Sequence, residues 1–131
     1  MTGAAAATET PEALLRRFLG YWHTRDAEAM VACFAPDGVY DNVPEAKPME
    51  GREAIRAWLD ICLAHLTRID VEILNLAING EWLLCERLDD HVVGDRHMVL
   101  PVMNATRIVD GHIVMFRDYY DRRTVTELGL G

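Results

Sequence analysis

Residues 85–89, Cys-Glu-Arg-Leu-Asp, put three charged side chains inside a run at 81–93 that otherwise has the apolar pattern of a buried β-strand. Side chains alternate between the two faces of a strand, so Arg87 and Asp89 point to the same face. Charge on an apolar face costs free energy unless it is paired. The pattern therefore predicts a strand whose buried face carries an ion pair.

A second charged strand, predicted over 112–125, repeats this feature. Asp118 shares its predicted face with large, mainly apolar side chains, namely Val114, Phe116 and Tyr120. A single carboxylate on such a face needs a cation beside it. We therefore expect Arg87 to contact both Asp89 and Asp118.

The second half of the chain is predicted to be a meander of strands. Four β-rich runs are separated by Asn-Gly, Gly-Asp and Asp-Gly pairs, which are typical of hairpin turns: 69–78, 81–93, 96–109 and 112–125. The alternation slips near Ile73 and Leu74, which predicts a bulge. Pro101 has no backbone N–H to donate, so we expect either a bulge or an edge position there.

The first half is mainly helical. Thr10 and Asp26 are helix-start signals, each followed by apolar residues at helical spacing, and a third helix is predicted over 52–66. A short strand at 39–43 and a loop at 44–51 come between the second helix and the third. Helices followed by a meander of long strands indicate an α+β fold. We expect a curved, mixed but mainly antiparallel sheet capped by three helices, which together form a cone with a pocket at its mouth.

Composition and charge narrow the class of partner. The 131 residues carry a formal net charge of -8, which disfavours nucleic acid and anionic membranes as partners. No apolar run reaches the length of a membrane span. Cysteines without a disulfide pattern indicate reduced thiols, so we expect a cytoplasmic protein. One domain is expected over 10–131, after a disordered lead-in at 1–9. Three cysteines lie among apolar residues, which predicts buried thiols without a disulfide or zinc site: Cys33, Cys62 and Cys85.

The expected group of one cation and two carboxylates could move protons. With both acids ionised it would carry a net negative charge, so a dry pocket favours one shared proton and a coupled titration. One carboxyl group would then donate a proton while the other accepts one, as in general acid–base catalysis. A buried ion-pair network that only fixes the strand register explains the same pattern equally well.

Tyr40 and Asn42 stand two residues apart on the predicted strand at 39–43 and therefore share a face. A phenol and an amide could hold a water molecule from two sides while a carboxylate removes its proton. Alternatively, Asp41 and Asn42 form a turn and Tyr40 is a core aromatic residue. The five histidines lie near helix ends, strand ends or turns, without the spacing of metal ligands, and no role is predicted for them.

Five short motifs together resemble the limonene-1,2-epoxide hydrolases, a family with the cone-shaped fold shared by nuclear transport factor 2 and ketosteroid isomerase. They occur in the family's order and near its spacing: Tyr40-Asp41-Asn42-Val43-Pro44, Gly51-Arg52-Glu53-Ala54, Glu86-Arg87-Leu88-Asp89, Asp110-Gly111-His112-Ile113 and Arg117-Asp118-Tyr119-Tyr120-Asp121. The resemblance covers the chain from Thr10 onward. The chain departs from the family pattern at Phe116, where tryptophan is more usual, at Tyr120 in place of phenylalanine, and at Pro101.

The resemblance implies one-step hydrolysis of an epoxide to a vicinal diol, without a cofactor, a metal or a covalent intermediate. Asp118 would be the base that activates water, and Tyr40 and Asn42 would position that water. Asp89 would protonate the epoxide oxygen, and Arg87 would bridge the two carboxylates. The family also implies a homodimer formed through the sheet.

The rest of the pocket is expected to be apolar and to bind a small hydrophobic epoxide, cyclic or terpene-like. Eight residues are candidates for substrate contact from their inward phase and family position: Leu19, Trp22, Leu66, Val71, Leu100, Val102, Phe116 and Tyr120. Plain core packing explains each of these positions equally well.

Two other functions fit the same residues. An isomerase or cyclase of this fold would use the pocket acid or base on a steroid-like or polyketide substrate. A non-catalytic module would bind a ligand and use the charged residues structurally. A water held by Tyr40 and Asn42 favours hydrolysis. The sequence has no nucleophilic-serine motif and no glycine-rich phosphate loop, which argues against the α/β-hydrolase and nucleotide-binding classes.

Overall fold

The computed structural model describes residues 8–127 of the chain, and in this part helices and strands follow the expected α+β order. The helices are α1 (Pro11–Thr24), α2 (Ala27–Ala32), α3 (Arg52–His65) and α4 (Arg122–Glu127). The strands are β1 (Phe34–Asn42), β2 (Met49–Glu50), β3 (Arg68–Asn79), β4 (Trp82–Val93), β5 (Arg96–Val109) and β6 (His112–Tyr119). Residues 1–7 of the predicted disordered lead-in lie outside the described residues.

The six strands form one curved sheet in the order β2-β1-β6-β5-β4-β3. The three hairpins that join β3 to β6 are antiparallel, whereas β1 runs parallel to β6. A mixed, mainly antiparallel sheet is thereby confirmed. The parallel pair matters for the site, because it sets Asn42 of β1 directly beside Asp118 of β6.

The first two helices begin where the sequence predicts. The Thr10 hydroxyl accepts a hydrogen bond from the Ala13 N–H at 3.1 Å, and the Asp26 carboxylate accepts one from the Ala29 N–H at 3.1 Å. Both side chains satisfy backbone donors that a helix start leaves free. The apolar stripe of α1 is buried against the sheet: Leu14, Leu15, Phe18, Leu19 and Trp22. Among the described residues, no helix combines the length and the apolar character needed to cross a membrane.

An aromatic cluster fills the core between the helices and the inner face of the sheet. Phe18 packs edge-on against Phe34 and Phe116, with ring centroids 5.4 and 5.0 Å apart. Tyr40 stands between this cluster and Trp58 of α3, with a centroid distance of 4.8 Å to Phe116 and 4.8 Å to Trp58. Such pairs add to the stability that burial of their large apolar surfaces provides. The contacts with Phe116 and Trp58 fix the position of the Tyr40 ring.

Strand β1 begins earlier than predicted. The sequence predicts a strand only from residue 39 onward, yet the strand starts at Phe34 and passes through an irregularity between Phe34 and Val39. Gly38 permits this, because a Cβ atom there would lie 2.9 Å from the Ile113 carbonyl oxygen. The predicted strand at 39–43 is thus the regular, second half of β1.

Three shorter features also differ from the prediction. The loop predicted at 44–51 contains the two-residue strand β2, which pairs with β1. The predicted strand 112–125 ends at Tyr119 because the Asp121 carboxylate accepts a hydrogen bond from the Arg123 N–H and so caps α4. A bulge leaves Val114 without a ladder partner, so Ile113 is buried on the inner face where Val114 was expected.

The two predicted irregularities in the long strands have different outcomes. The bulge near Ile73 and Leu74 is confirmed, since the β3–β4 register shifts between Ile73 and Asn75. At Pro101 the bulge is wrong, because this residue pairs with Leu88 in unbroken register. The predicted edge position holds for this part of β5 only. Strand β5 is interior to the sheet, but its pairing with β6 begins at Met103, so Pro101 has a paired strand on one side alone. The missing N–H of Pro101 therefore breaks no ladder on the β6 side.

Candidate active site

The buried centre of the inner face is one arginine held between two aspartates. Arg87 Nε and Nη2 donate to the two oxygens of Asp89 at 2.8 and 3.1 Å, and Nη1 and Nη2 donate to the two oxygens of Asp118 at 2.9 and 2.6 Å. The three residues are 2%, 7% and 4% exposed, respectively. The expected contact of Arg87 with both acids is therefore present, and each acid is bound through both its oxygens.

The sheet topology explains why an arginine is needed. Arg87 and Asp89 share a face of β4, whereas Asp118 lies on β6, on the far side of β5. Two strand spacings separate β4 from β6, about 10 Å, which only a long side chain can span. The planar guanidinium also presents its donors in a fork that matches two carboxylates at once, which the point charge of a lysine cannot do.

Two residues that the sequence reasoning missed complete this network. Asn104 Nδ2 donates to Asp118 Oδ1 at 2.7 Å and to the Arg117 carbonyl oxygen at 3.0 Å. The Thr106 hydroxyl donates to Asn104 Oδ1 and so fixes the orientation of the amide. Both are buried and alternate with outward residues on β5. The signal that could have found them is their polarity at inward positions of the strand, which the pattern of charged residues does not reveal.

The network perturbs the ionisation of its members. Burial raises the pKa of Asp118 above its ordinary value, although the ion pair with Arg87 and the hydrogen bond from Asn104 oppose the rise. For Arg87, burial favours the neutral form, but the two carboxylates outweigh it and hold the pKa well above the ordinary range. The arginine stays charged, and Asp118 binds a proton more readily than an ordinary aspartate, which makes it a stronger base when ionised.

Tyr40 and Asn42 lie beside this network, with Asn42 paired to Asp118 across the β1–β6 ladder. Both are buried and line the same cavity as Asp118. Within residues 8–127 neither the phenol nor the side-chain amide has a hydrogen-bond partner, and no unpartnered buried polar atom is sealed away from open space. The two groups therefore open on the cavity. Burial raises the pKa of Tyr40 well above its ordinary value, so the phenol stays neutral.

The cavity has a volume of about 210 Å³. This is below the ~300–1,000 Å³ of pockets that take drug-sized ligands, so it suits a small molecule. Its wall is aromatic and aliphatic around the polar groups just described: Trp22, Trp58, Ile61, Ile69, Leu100, Val102 and Val125. Five further side chains add sulfur or polar atoms: Glu45, Cys62, His65, His91 and Tyr120.

The eight residues predicted to contact substrate divide into two groups. Four line the cavity: Trp22, Leu100, Val102 and Tyr120. The other four do not line it and pack in or against the hydrophobic core instead: Leu19, Leu66, Val71 and Phe116. For Phe116 the reason is visible, because the Arg87 guanidinium carbon lies 5.5 Å from its ring centroid and covers the face of the ring. The aromatic ring supports the arginine from behind.

Several cavity residues were not foreseen. One stripe of α3 supplies four of them at helical spacing: Trp58, Ile61, Cys62 and His65. That spacing was the available signal. Burial raises the pKa of the Cys62 thiol to about 12, so this thiol stays protonated. At the mouth, the Tyr120 hydroxyl donates to Glu45 at 3.1 Å, a contact between distant segments that no local pattern indicates.

Two sequence comparisons relate the chain to known proteins. A family model described as the SnoaL-like domain matches residues 15–116. The epoxide hydrolase EphG of Mycobacterium tuberculosis is 29% identical over 104 residues, covering 79% of this chain and 68% of that protein.

Two solved structures share the fold. An LEH-like epoxide hydrolase of M. tuberculosis superposes with a TM-score of 0.76 at 23% identity, covering 88% of this chain and 85% of that one. A protein of Catenulispora acidiphila with a ketosteroid isomerase-like fold, solved with trimethylamine, superposes with a TM-score of 0.81 at 23% identity, covering 93% and 95%. A protein described as an epoxide hydrolase and one described by its ketosteroid isomerase-like fold thus share this architecture. The chemistry of this chain must therefore be argued from its site.

Proposed function

The chain belongs to the SnoaL-like domain family, and from that premise we propose that it is an epoxide hydrolase of the limonene-1,2-epoxide hydrolase type. It adds water to a small, mainly hydrophobic epoxide, cyclic or terpene-like, and releases a vicinal diol. The observation that carries the proposal is the buried Arg87 between Asp89 and Asp118, with the free phenol of Tyr40 and the free amide of Asn42 opening on the same cavity.

The first half of the reaction is the activation of water. Asn42 pairs with Asp118 across the parallel β1–β6 ladder, and Tyr40 lies two residues before it on the same face. A water molecule held by the phenol, the amide and the Asp118 carboxylate has one O–H bond directed at the base. Asp118 takes that proton as the water oxygen forms a bond to a ring carbon of the epoxide.

The second half is the opening of the ring. As the carbon–oxygen bond of the epoxide breaks, Asp89 gives its proton to the departing oxygen, which becomes the second hydroxyl of the diol. One proton has then moved to Asp118 and one has left Asp89. Arg87 binds both acids, so the return of the proton from Asp118 to Asp89 leaves the charge of the network unchanged. Epoxide and water give the diol with no other reactant.

The proposal is tested first by product analysis. We expect purified protein to convert at least one member of a panel of cyclic, terpene and aryl epoxides into a diol, scored by chiral chromatography. In a single turnover in ¹⁸O-labelled water, the label should appear in the diol and not in the protein. Label in a carboxylate would contradict the one-step route, and rearranged or cyclised product without diol would identify an isomerase or cyclase instead.

The role of the base is tested by Asp118→Asn. The amide cannot accept the water proton, so kcat should fall by about 10²- to 10⁴-fold while the protein remains folded. Asp41→Asn is the matched control, because Asp41 also pairs with an arginine, Arg117, at 3.5 Å, but does not line the cavity. This control should retain most of the wild-type activity. Hydrolysis by Asp118→Asn at the wild-type rate would exclude the proposed base.

We further propose that two copies of the chain associate through the outer face of the sheet. Four large side chains on the outer face of β4, β5 and β6 are between 42% and 49% exposed: Leu84, Val99, Met103 and Tyr119. Apolar groups clustered on one face favour burial against a second surface. Light scattering should therefore give the mass of a dimer, and Met103→Glu should shift it to the mass of a monomer. A wild-type monomer at micromolar concentration would contradict this proposal.

A further inference from the structure

His91 is a buried cavity residue that the proposed reaction does not use. It lies two residues after Asp89 on β4, on the same inner face, and is 8% exposed. Its Nδ1 lies 3.0 Å from the backbone carbonyl oxygen of Asp89. A carbonyl oxygen can only accept a hydrogen bond, so Nδ1 carries the proton and Nε2 carries a lone pair.

That lone pair faces the cavity without a protein partner. Among residues 8–127, the hydrogen bond to the Asp89 carbonyl is the one made by the His91 ring. Since no unpartnered side-chain nitrogen or oxygen in this part of the chain is sealed away from open space, Nε2 opens on the cavity that the residue lines. Burial lowers the pKa of His91, although the Asp89 carboxylate opposes the shift, so the ring is neutral at physiological pH. Nε2 is then an acceptor only.

The surroundings make this acceptor selective. On the side of His91 away from Asp89 the cavity wall has an apolar residue, Ile69, which pairs with His91 across β3–β4, and Leu100 pairs with Asp89 across β4–β5. A wholly hydrocarbon ligand would cover Nε2 without replacing its hydrogen bond to water, which costs free energy. A ligand that carries a hydroxyl group at this point would instead satisfy it. Two residues along a strand correspond to about 7 Å, which sets the distance from the Asp89 end of the cavity.

We propose that the substrate is an epoxide that bears a hydroxyl group about 7 Å from the epoxide oxygen, and that His91 Nε2 accepts the hydrogen bond of that hydroxyl. The inference rests on the proposed function, because it places the epoxide oxygen at Asp89. It makes His91 a residue that selects hydroxylated epoxides over hydrocarbon epoxides of the same shape.

The experiment compares a cyclic epoxide that carries such a hydroxyl with its parent that lacks it. The ratio of the two kcat/KM values is measured in the wild type, in His91→Leu and in His91→Gln. We expect the wild type to prefer the alcohol by about tenfold, and His91→Leu to lose that preference or reverse it, mainly through KM. His91→Gln offers a carbonyl oxygen as acceptor and should keep part of the preference. The ring-opening chemistry is common to both substrates and cancels in the ratio.

Two outcomes would overturn the inference and are distinct from failure of the proposed function. If both epoxides are hydrolysed but the ratio is the same in the wild type and in His91→Leu, the hydrolase proposal stands and the role of His91 falls. If neither epoxide is hydrolysed, the proposed function fails, and calorimetric binding of a cyclic alcohol and its deoxy analogue decides the matter. Equal dissociation constants of the alcohol for wild type and His91→Leu would then exclude the acceptor. Circular dichroism checks that both variants are folded.

Discussion

Two sets of polar side chains face one cavity, and they differ in how the protein treats them. The first, the closed network, consists of Arg87, Asp89, Asp118, Asn104 and Thr106, and each of its members binds another member. The second, the open groups, consists of Tyr40, Asn42 and His91, whose free polar atoms have no partner within residues 8–127. Both sets are buried, so exposure does not distinguish them.

The difference distinguishes the groups whose hydrogen bonds are made within the folded protein from the groups whose hydrogen bonds require a bound water or ligand. Interactions within the closed network are made during folding and hold the acid and the base in place. Removing one member leaves a buried charged or polar partner unsatisfied, which destabilises the protein. The open groups were desolvated without gaining a protein partner, which costs stability unless water or a ligand binds them. Substitutions in the closed network should therefore affect stability and activity together. Substitutions of the open groups by apolar groups of similar shape should lower activity and leave stability unchanged or slightly raised.

The largest effect is expected for Arg87→Leu. It leaves two buried carboxylates without their cation, which should destabilise the protein by about 3–5 kcal/mol at neutral pH and abolish measurable hydrolysis. The loss of stability should shrink as the pH falls, because protonated carboxyl groups need no cation. Urea denaturation at several pH values measures this.

Arg107→Leu is the matched control for that experiment. Arg107 binds Glu81 at 2.7 Å, but both side chains are about half exposed, so the loss should stay below about 1 kcal/mol. Equal losses of stability in the two variants would mean that Arg87 contributes no more to stability than an arginine in an exposed ion pair.

Tyr40→Phe should have the opposite pattern to Arg87→Leu. The phenol has no hydrogen-bond partner among residues 8–127, so its removal breaks no hydrogen bond of the protein and should leave the free energy of unfolding unchanged or slightly raised. If the phenol positions the attacking water, kcat should fall by roughly 10- to 100-fold. Tyr119→Phe removes the same atom from a ring on the outer face and keeps the apolar surface of that ring for the proposed dimer contact, so it should leave both quantities near wild type. A large loss of stability in Tyr40→Phe would place the phenol in the closed network.

The sequence indicated the closed network better than the open groups, for a physical reason. Charge on an apolar strand face demands a partner, and hairpin turns tie β4, β5 and β6 together, so the contact of Arg87 with Asp118 could be predicted. Asn104 and Thr106 are neutral, so their burial does not require a charged partner, and the sequence pattern did not indicate their contacts. His91 has the same strand phase as Arg87 and Asp89, so alternation alone could have placed it in the cavity.

The pairing of β1 with β6 could not be derived in that way. These strands are parallel and far apart in the sequence, and no turn signal fixes their register. The positions of Tyr40 and Asn42 beside Asp118 therefore follow from the family resemblance and from the structure, not from the pattern of the sequence. The same holds for the contact of Tyr120 with Glu45, which joins two segments that lie 75 residues apart.

The smallest expected effect is also the most specific test of the closed network. Asn104 donates to Asp118 and lowers the pKa of that carboxyl, opposing the rise caused by burial. Since the base must be ionised, kcat/KM should fall at acidic pH, and this limb should lie above the ordinary range of aspartate. Asn104→Ala removes a donor from the ionised form, so the pKa of Asp118 rises further. The acid limb should then move to higher pH, so that kcat/KM at a fixed pH on this limb falls relative to the wild type while the plateau at higher pH is retained.

Asn75→Ala is the control, since Asn75 donates to the Glu86 carboxylate at 2.6 Å on an exposed part of the sheet. Both variants lose one amide–carboxylate hydrogen bond, but only Asn104→Ala should displace the pH profile. A purely structural role for Asn104 would lower stability and the amount of active protein without moving the acid limb. The direction of that shift therefore decides whether Asn104 acts through the base, because a shift to lower pH would contradict the assignment of Asp118 as the group that must be ionised.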